Sequence, residues 1–400
     1  MSLNSTASAD RIHIGFFGLR NAGKSSVVNA VTGQALSLVS DVKGTTTDPV
    51  KKAMELLPLG PVVIIDTPGI DDEGELGAMR VKRAVQALNY TDIAVLVVDA
   101  AKGIQPQDRE LIARFEDKNI KYIVVYNKSD LLGSIPDTKA NEIYVSAVNG
   151  TNINELKEMI GRQMQKQGEG KKIVADLVEN GDLAVLVVPI DESAPKGRLI
   201  LPQQQVIREL IENGVTAVVC RDTELKSTLD SLGKKPSLVI TDSQVFEKVS
   251  ADTPEDIPLT SFSILFARYK GNLAAAVRGA AMLDKLNCGD KVLISEGCTH
   301  HRQCNDIGTV KMPNWIKNFT NKELEFEFTS GGEFPEDLSQ YALVVHCGGC
   351  MLNAREMQYR AGFAADSEVP MTNYGIAIAH MHGILRRSVA PFPEIMKELD

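Results

Sequence analysis

Gly18-Leu19-Arg20-Asn21-Ala22-Gly23-Lys24-Ser25 stands between an apolar run, Arg11 to Phe17, and a helical pattern from Lys24 to Thr32. Strand, glycine-bounded loop, helix is the context in which GxxxxGK[ST] wraps a phosphate. Gly18 and Gly23 let backbone N–H groups face the anion, and the helix start adds its positive dipole. Lys24 reaches the β and γ oxygens, the Ser25 hydroxyl holds Mg²⁺, and Ser26 follows in the same first turn. Outward from this loop, apolar β-branched runs recur at Val62 to Asp66, Ile93 to Asp99, Tyr122 to Asn127 and Ile143 to Ser146. Helix-like stretches at 77–89, 107–118 and 153–165 alternate with them, which predicts a parallel α/β sheet buried on both faces.

Three further stretches extend the phosphate loop into a nucleotide site. Asp66-Thr67-Pro68-Gly69 follows a strand and offers a carboxylate to the Mg²⁺ shell and a glycine N–H to the γ-phosphate. Asn127-Lys128-Ser129-Asp130 ends another strand, and Asp130 can accept from the N1 and exocyclic N2 hydrogens of guanine, a donor pair adenine lacks. Ser146-Ala147 completes the base contacts. The set resembles the translation-factor-like GTPases, over residues 11 to about 165. Gly44-Thr45-Thr46-Thr47-Asp48 places the resemblance in the branch of MnmE and Era. That resemblance implies that Thr46 binds Mg²⁺ in the triphosphate state and that Asn21 helps hold an activating K⁺; Asn21 also reads as a loop-shaping residue. Thr45 and Thr47 read as solvated switch-loop residues. Ile70 stands where Ras-type enzymes carry the water-orienting glutamine, so unaided hydrolysis should be slow.

The chain has 400 residues, 44% of them hydrophobic and 24% charged, with a mean hydropathy of -0.08. That is enough apolar material for two or three cores, and it excludes disorder and coiled coil as organising themes. Forty-three basic against 52 acidic residues, a net of -9, argue against a general nucleic-acid or anionic-membrane binder. No basic segment followed by an apolar stretch opens the sequence, and no run of about 18 apolar residues follows. A cytoplasmic protein without membrane contact is expected.

After a polar linker at 166–172, a shorter α/β pattern runs from Leu183 to Thr241 and ends in the acidic loop Thr253 to Pro258. A third segment opens with a helical stretch, 273–286. Its strands Lys291 to Ser295 and Ala342 to Val345 run into thiol clusters at their carboxyl ends, where open α/β sheets place their sites. Five of the six cysteines, Cys288, Cys298, Cys304, Cys347 and Cys350, lie in the last 113 positions. Cys298-Thr299-His300, then 45 residues, then His346-Cys347-Gly348-Gly349-Cys350 is a metal-site composition. A Cys₃His set suits a closed tetrahedral zinc, whereas three cysteines with a replaceable fourth ligand suit a [4Fe-4S] cluster, and spacing alone does not choose. Glu296 and Asp306 are nearby oxygen donors. Cys304 reads as a bystander, His301 as solvated, Cys220 and Cys288 as core hydrophobes and His13 as structural. His380 and His382, two apart in a helix-like stretch, point to different sides.

The whole pattern, a GTPase followed by a middle α/β domain and then CxH and HCxxC, resembles the HydF family of [FeFe]-hydrogenase maturation GTPases. The resemblance implies that Cys298, Cys347 and Cys350 hold a [4Fe-4S] cluster with an exchangeable fourth position open to His300 or His346. It further implies a homodimeric or larger scaffold that carries a transient diiron subcluster to apo-[FeFe]-hydrogenase, with precursor from the radical-SAM maturases HydE and HydG. The expected architecture is α/β throughout. It comprises an N-terminal P-loop GTPase domain at 1–166, a small middle, self-associating α/β domain at 173–258 and a C-terminal α/β cluster-binding domain at 261–400. An RNA-associated GTPase with structural zinc and a cluster-bearing redox enzyme are the alternatives.

Overall fold

The computed structural model describes residues 8–33, 49–69, 74–165, 171–190, 199–297 and 306–399. They form two compact units, Met1–Gly170 and Lys171–Asp400. In the first, strands β1 (Ile12–Phe17), β2 (Val50–Leu56), β3 (Gly60–Asp66), β4 (Ile93–Asp99), β5 (Lys121–Asn127) and β6 (Glu142–Tyr144) make a sheet of order β2-β3-β1-β4-β5-β6. All pairs are parallel except β2 with β3. Alternation along β4 divides the core. Ile93, Val95 and Val97 join Ile14, Phe16 and Val27 on one face, while Ala94, Leu96 and Val98 join Phe17 and Phe115 on the other. Helices Lys24–Thr32 and Ile153–Gln165 cover the first face and Pro106–Asp117 the second. The edge strand β2 was not expected from the sequence.

The second unit contains two further sheets. β7 (Leu183–Val187), β8 (Thr216–Cys220), β9 (Leu238–Thr241) and β10 (Leu259–Ser261) are ordered β10-β9-β7-β8. β11 (Lys291–Glu296), β12 (Glu325–Ser330), β13 (Leu343–His346) and β14 (Met371–Asn373) are ordered β12-β11-β13-β14. Both are wholly parallel, and both place the second strand of the set outside the first and the third and fourth on its other side. The expected boundary between 258 and 261 runs through this unit. One apolar cluster joins Val185, Leu186 and Phe246 of the earlier stretch to Ile376, Leu385, Val389 and Phe392 of the later one.

One correction concerns a cysteine, while the histidines stand as expected. Cys220 is buried as expected, but Cys288 is exposed: it sits in the Asn287–Asp290 turn before β11 rather than on an apolar face. His13 is buried, with Nδ1 against the Arg11 carbonyl. His380 pairs with Asp284 and His382 with Glu247, so the two do face different partners.

Candidate functional site

β1 delivers the phosphate loop at its carboxyl end, and two glycines there have no substitute. Gly18 lies at φ 148, where a Cβ would come 2.3 Å from the Val97 carbonyl, and Gly23 lies at φ 86, where a Cβ would meet Asn127 Nδ2 at 2.2 Å. Asn21, also left-handed at φ 61, shapes the loop between them. Asn127, almost wholly buried, ties the base-recognition strand to this loop. Its Nδ2 donates to the Ala22 carbonyl at 3.1 Å, and its Oδ1 accepts from Ala147 N at 3.1 Å. Lys128 lies over the loop, donating to the Asn21 carbonyl at 2.7 Å and to Asp99 Oδ2 at 2.6 Å. Asp99 was not anticipated from sequence. Ser146 Oγ donates to Asp130 Oδ1 at 2.5 Å, which fixes the carboxylate that would face guanine.

At the phosphate end, Ser25 Oγ donates to Asp66 Oδ2 at 3.3 Å and Lys24 Nζ stands 3.7 Å from Asp66 Oδ1. That second oxygen is buried without a hydrogen-bond partner among the described residues. Burial holds the Asp66 carboxyl above its ordinary 3.8, against the pull of Lys24 and Ser25. A hard dication bridging hydroxyl and carboxylate would relieve this arrangement, so the residues fit Mg²⁺. Thr46 and Ile70 lie outside the described residues.

The thiol end is built where β11 and β13 lie side by side. Cys347 N donates to the Ser295 carbonyl at 2.8 Å, extending the pairing by one residue. Its Sγ then accepts from Gly297 N at 3.0 Å and Gly349 N at 3.4 Å. Burial pushes the Cys347 thiol from 9.0 up to about 11, although both amides favour the thiolate. A partly buried sulfur at which two N–H groups are aimed favours a thiolate once a cation replaces the proton. The donors present therefore fit a thiolate-bound metal group. Cys298, His300, His301 and Cys304 lie outside the described residues. Among the described residues, no group of three or more His, Cys, Asp and Glu side chains is arranged to hold a metal ion.

His346 is held differently from its neighbour. Arg360, fully buried, presents Nη1 3.1 Å from His346 Nε2, while His346 Nδ1 lies 2.7 Å from the Cys347 carbonyl. A guanidinium only donates, so Nε2 accepts and Nδ1 carries the proton toward the carbonyl. Both ring nitrogens are engaged. Burial first, and then the Arg360 charge, hold this imidazole down at about 3. Arg360 in turn donates Nε to Glu356 at 2.9 Å and Nη2 to the Gly331 carbonyl at 2.8 Å. A cavity of about 350 Å³, walled by Ala275, Ala276, Ala361 and Ala364, reaches His346 and Cys347. Glu296 accepts from Tyr374 at 3.3 Å. Arg360 and Glu356 gave no sequence signal beyond lying four apart in a helical pattern.

Comparison with known families gives the second unit its affiliation. The hydrogen maturase F dimerization domain matches residues 173–271, and the hydrogen maturase F tetramerization domain matches 274–391. The chain belongs to the hydrogen maturase F family. The 50S ribosome-binding GTPase domain matches 13–128, so this member of the family carries its phosphate loop, Asp66 and Asn127 within a GTPase-type domain. GTPase Der of Kosmotoga olearia is 36% identical over 166 residues, 37% of this chain and 37% of that protein. The tRNA modification GTPase MnmE of Nitrosospira multiformis is 35% identical over 170 residues, 40% of this chain and 37% of that protein. The chain thus spans under two fifths of the length of these curated relatives. Era of Aquifex aeolicus shows 21% identity and a TM-score of 0.34, covering 52% of this chain and 92% of its own. No helix among the described residues is long and apolar enough to cross a membrane.

Proposed function

We propose that the first unit binds and hydrolyses GTP with Mg²⁺. In the second, Cys298, Cys347 and Cys350 hold a [4Fe-4S] cluster, and the chain serves as scaffold and carrier in [FeFe]-hydrogenase maturation. The observation that carries this reading is the Cys347 sulfur, lined by two amides, at the end of β13 inside the tetramerization-domain match. The cluster, when bound, supplies an iron position that is open to exchange. The residues of the chain anchor it and leave a cavity beside the clip for cargo. The diiron subcluster is that cargo, apo-[FeFe]-hydrogenase its recipient, and HydE and HydG its suppliers. With both nitrogens of His346 engaged, His346 steadies Cys347, and the fourth position falls to His300 or an oxygen donor.

GTP hydrolysis is slow and stimulated by K⁺ through Asn21, with Lys24 and Thr46 in the catalytic roles. It governs partner exchange by ordering loops around the γ-phosphate. Self-association is supported by β8, an edge strand whose Val219 is 46% exposed. The three domains, 1–166, 173–258 and 261–400, divide the work as nucleotide switch, self-association and cluster carriage. Iron and sulfide analysis of anaerobically reconstituted protein tests the reading. The wild type should hold iron, and serine at Cys298, Cys347 or Cys350 should remove most of it. Zinc in place of iron, or full iron retention in Cys347→Ser, would overturn the assignment.

A further inference from the structure

Lys270 closes helix Phe262–Lys270 and is only 2% exposed. Lysine is seldom buried to that degree without a specific role. Its Nζ donates to the Leu352 carbonyl at 3.0 Å and to the Cys350 carbonyl at 3.4 Å, and lies 5.6 Å from the centre of the Phe266 ring. The helix falls within the dimerization-domain match and the clip within the tetramerization-domain match, so one ammonium group spans the two. Asn353, the residue after Leu352, caps helix Ala354–Asp366 by accepting from Glu356 N at 3.0 Å. The main chain from Cys350 to Asn353 is therefore pinned at both ends. A positive charge shielded from water and set against the clip acts in a low dielectric and favours the more negative state of whatever the thiolates hold.

We propose that Lys270 is a positioning residue of the cysteine site that both anchors the clip and raises the reduction potential of its occupant. The proposal rests on the reading that the cysteines hold an iron–sulfur cluster, because that group gains one negative charge on reduction and its potential follows nearby charge and hydrogen bonding. A purely structural tether would hold the loop without moving the potential.

The test uses the full chain, reconstituted with iron and sulfide, in three forms: wild type, Lys270→Met and Lys270→Arg. Metal content, circular dichroism and an EPR-monitored redox titration are measured for each. Lys270→Met should keep its iron and titrate at a more negative midpoint, and Lys270→Arg should match the wild type. Should Lys270→Met lose its iron while Lys270→Arg keeps it, the charged anchor is supported. Iron loss in both variants, or an unchanged midpoint in iron-loaded Lys270→Met, overturns the inference and leaves the cluster reading intact. A wild-type protein that takes up no iron overturns the cluster reading and this inference with it.

Discussion

Replacing Arg360 by methionine keeps a long flexible side chain in place and removes the charge from the base of the cysteine site. Three changes follow from the geometry. Glu356, 6% exposed and bonded at 2.9 Å, loses its countercharge, and its second oxygen already lacks a hydrogen-bond partner among the described residues. The Gly331 carbonyl and His346 Nε2 lose their donors. Breaking a buried ion pair from one side costs about 3–5 kcal/mol, most of it the stranded charge. At about 2–4 °C per kcal/mol for a unit of this size, its transition should fall by roughly 6–20 °C. The chain has one tryptophan, Trp315, in helix Met312–Thr320 of the same unit, so its fluorescence on heating reports that unit. Removing both charges, with Arg360→Met and Glu356→Leu together, should recover most of the loss, because apolar replacement of a whole buried pair is close to neutral. A single variant that melts with the wild type, or a double variant no better than the single, would refute the account of Arg360 as a compensated buried charge.

Two further outcomes follow. Asp130→Asn exchanges an acceptor for a donor where Ser146 fixes the side chain, so affinity should pass from guanine to xanthine nucleotides; competition binding with GTP and XTP measures it, and retained GTP preference would remove Asp130 from base recognition. Burial, and then the Glu327 carboxylate, push Tyr341 from 10.0 up to about 12, so the folded chain keeps this proton where the unfolded chain has released it. Its contribution to stability is complete below about pH 10 and is lost as pH rises toward 12; alkaline unfolding followed by fluorescence should show a shallower loss in Tyr341→Phe.

What the sequence made legible follows from periodicity and length. Strands β1, β3 and β5 are runs of six or seven residues buried on both faces, and each carries a motif at its carboxyl end, so strand and site were visible together. β10 and β14 have three residues each, too few for a period to show. β2 escaped because it is an antiparallel edge with Lys51, Lys52 and Glu55 turned to solvent. β12, Glu325 to Ser330, does alternate and could have been found. At the cysteine site the ligand residues announce themselves, whereas Lys270, Arg360 and Glu356 sit among apolar helix positions where a charge ordinarily marks the outer face. Cys288 misled for the opposite reason: a thiol is usually buried, but this one falls in a turn.

The return of residues 385–396 to the earlier sheet of the second unit bears on how the protein is made. Leu385, Val389, Phe392 and Ile395 belong to the same core as β7 and β9, yet they leave the ribosome more than 120 residues after β10 is complete. At about 5–20 residues per second, that sheet waits on the order of ten seconds with part of its core uncovered. Its topology is finished early and its burial late. The nascent unit is therefore a client for chaperones throughout that interval, and a ribosome stalled between residues 300 and 380 would hold a sheet that is formed but unsealed.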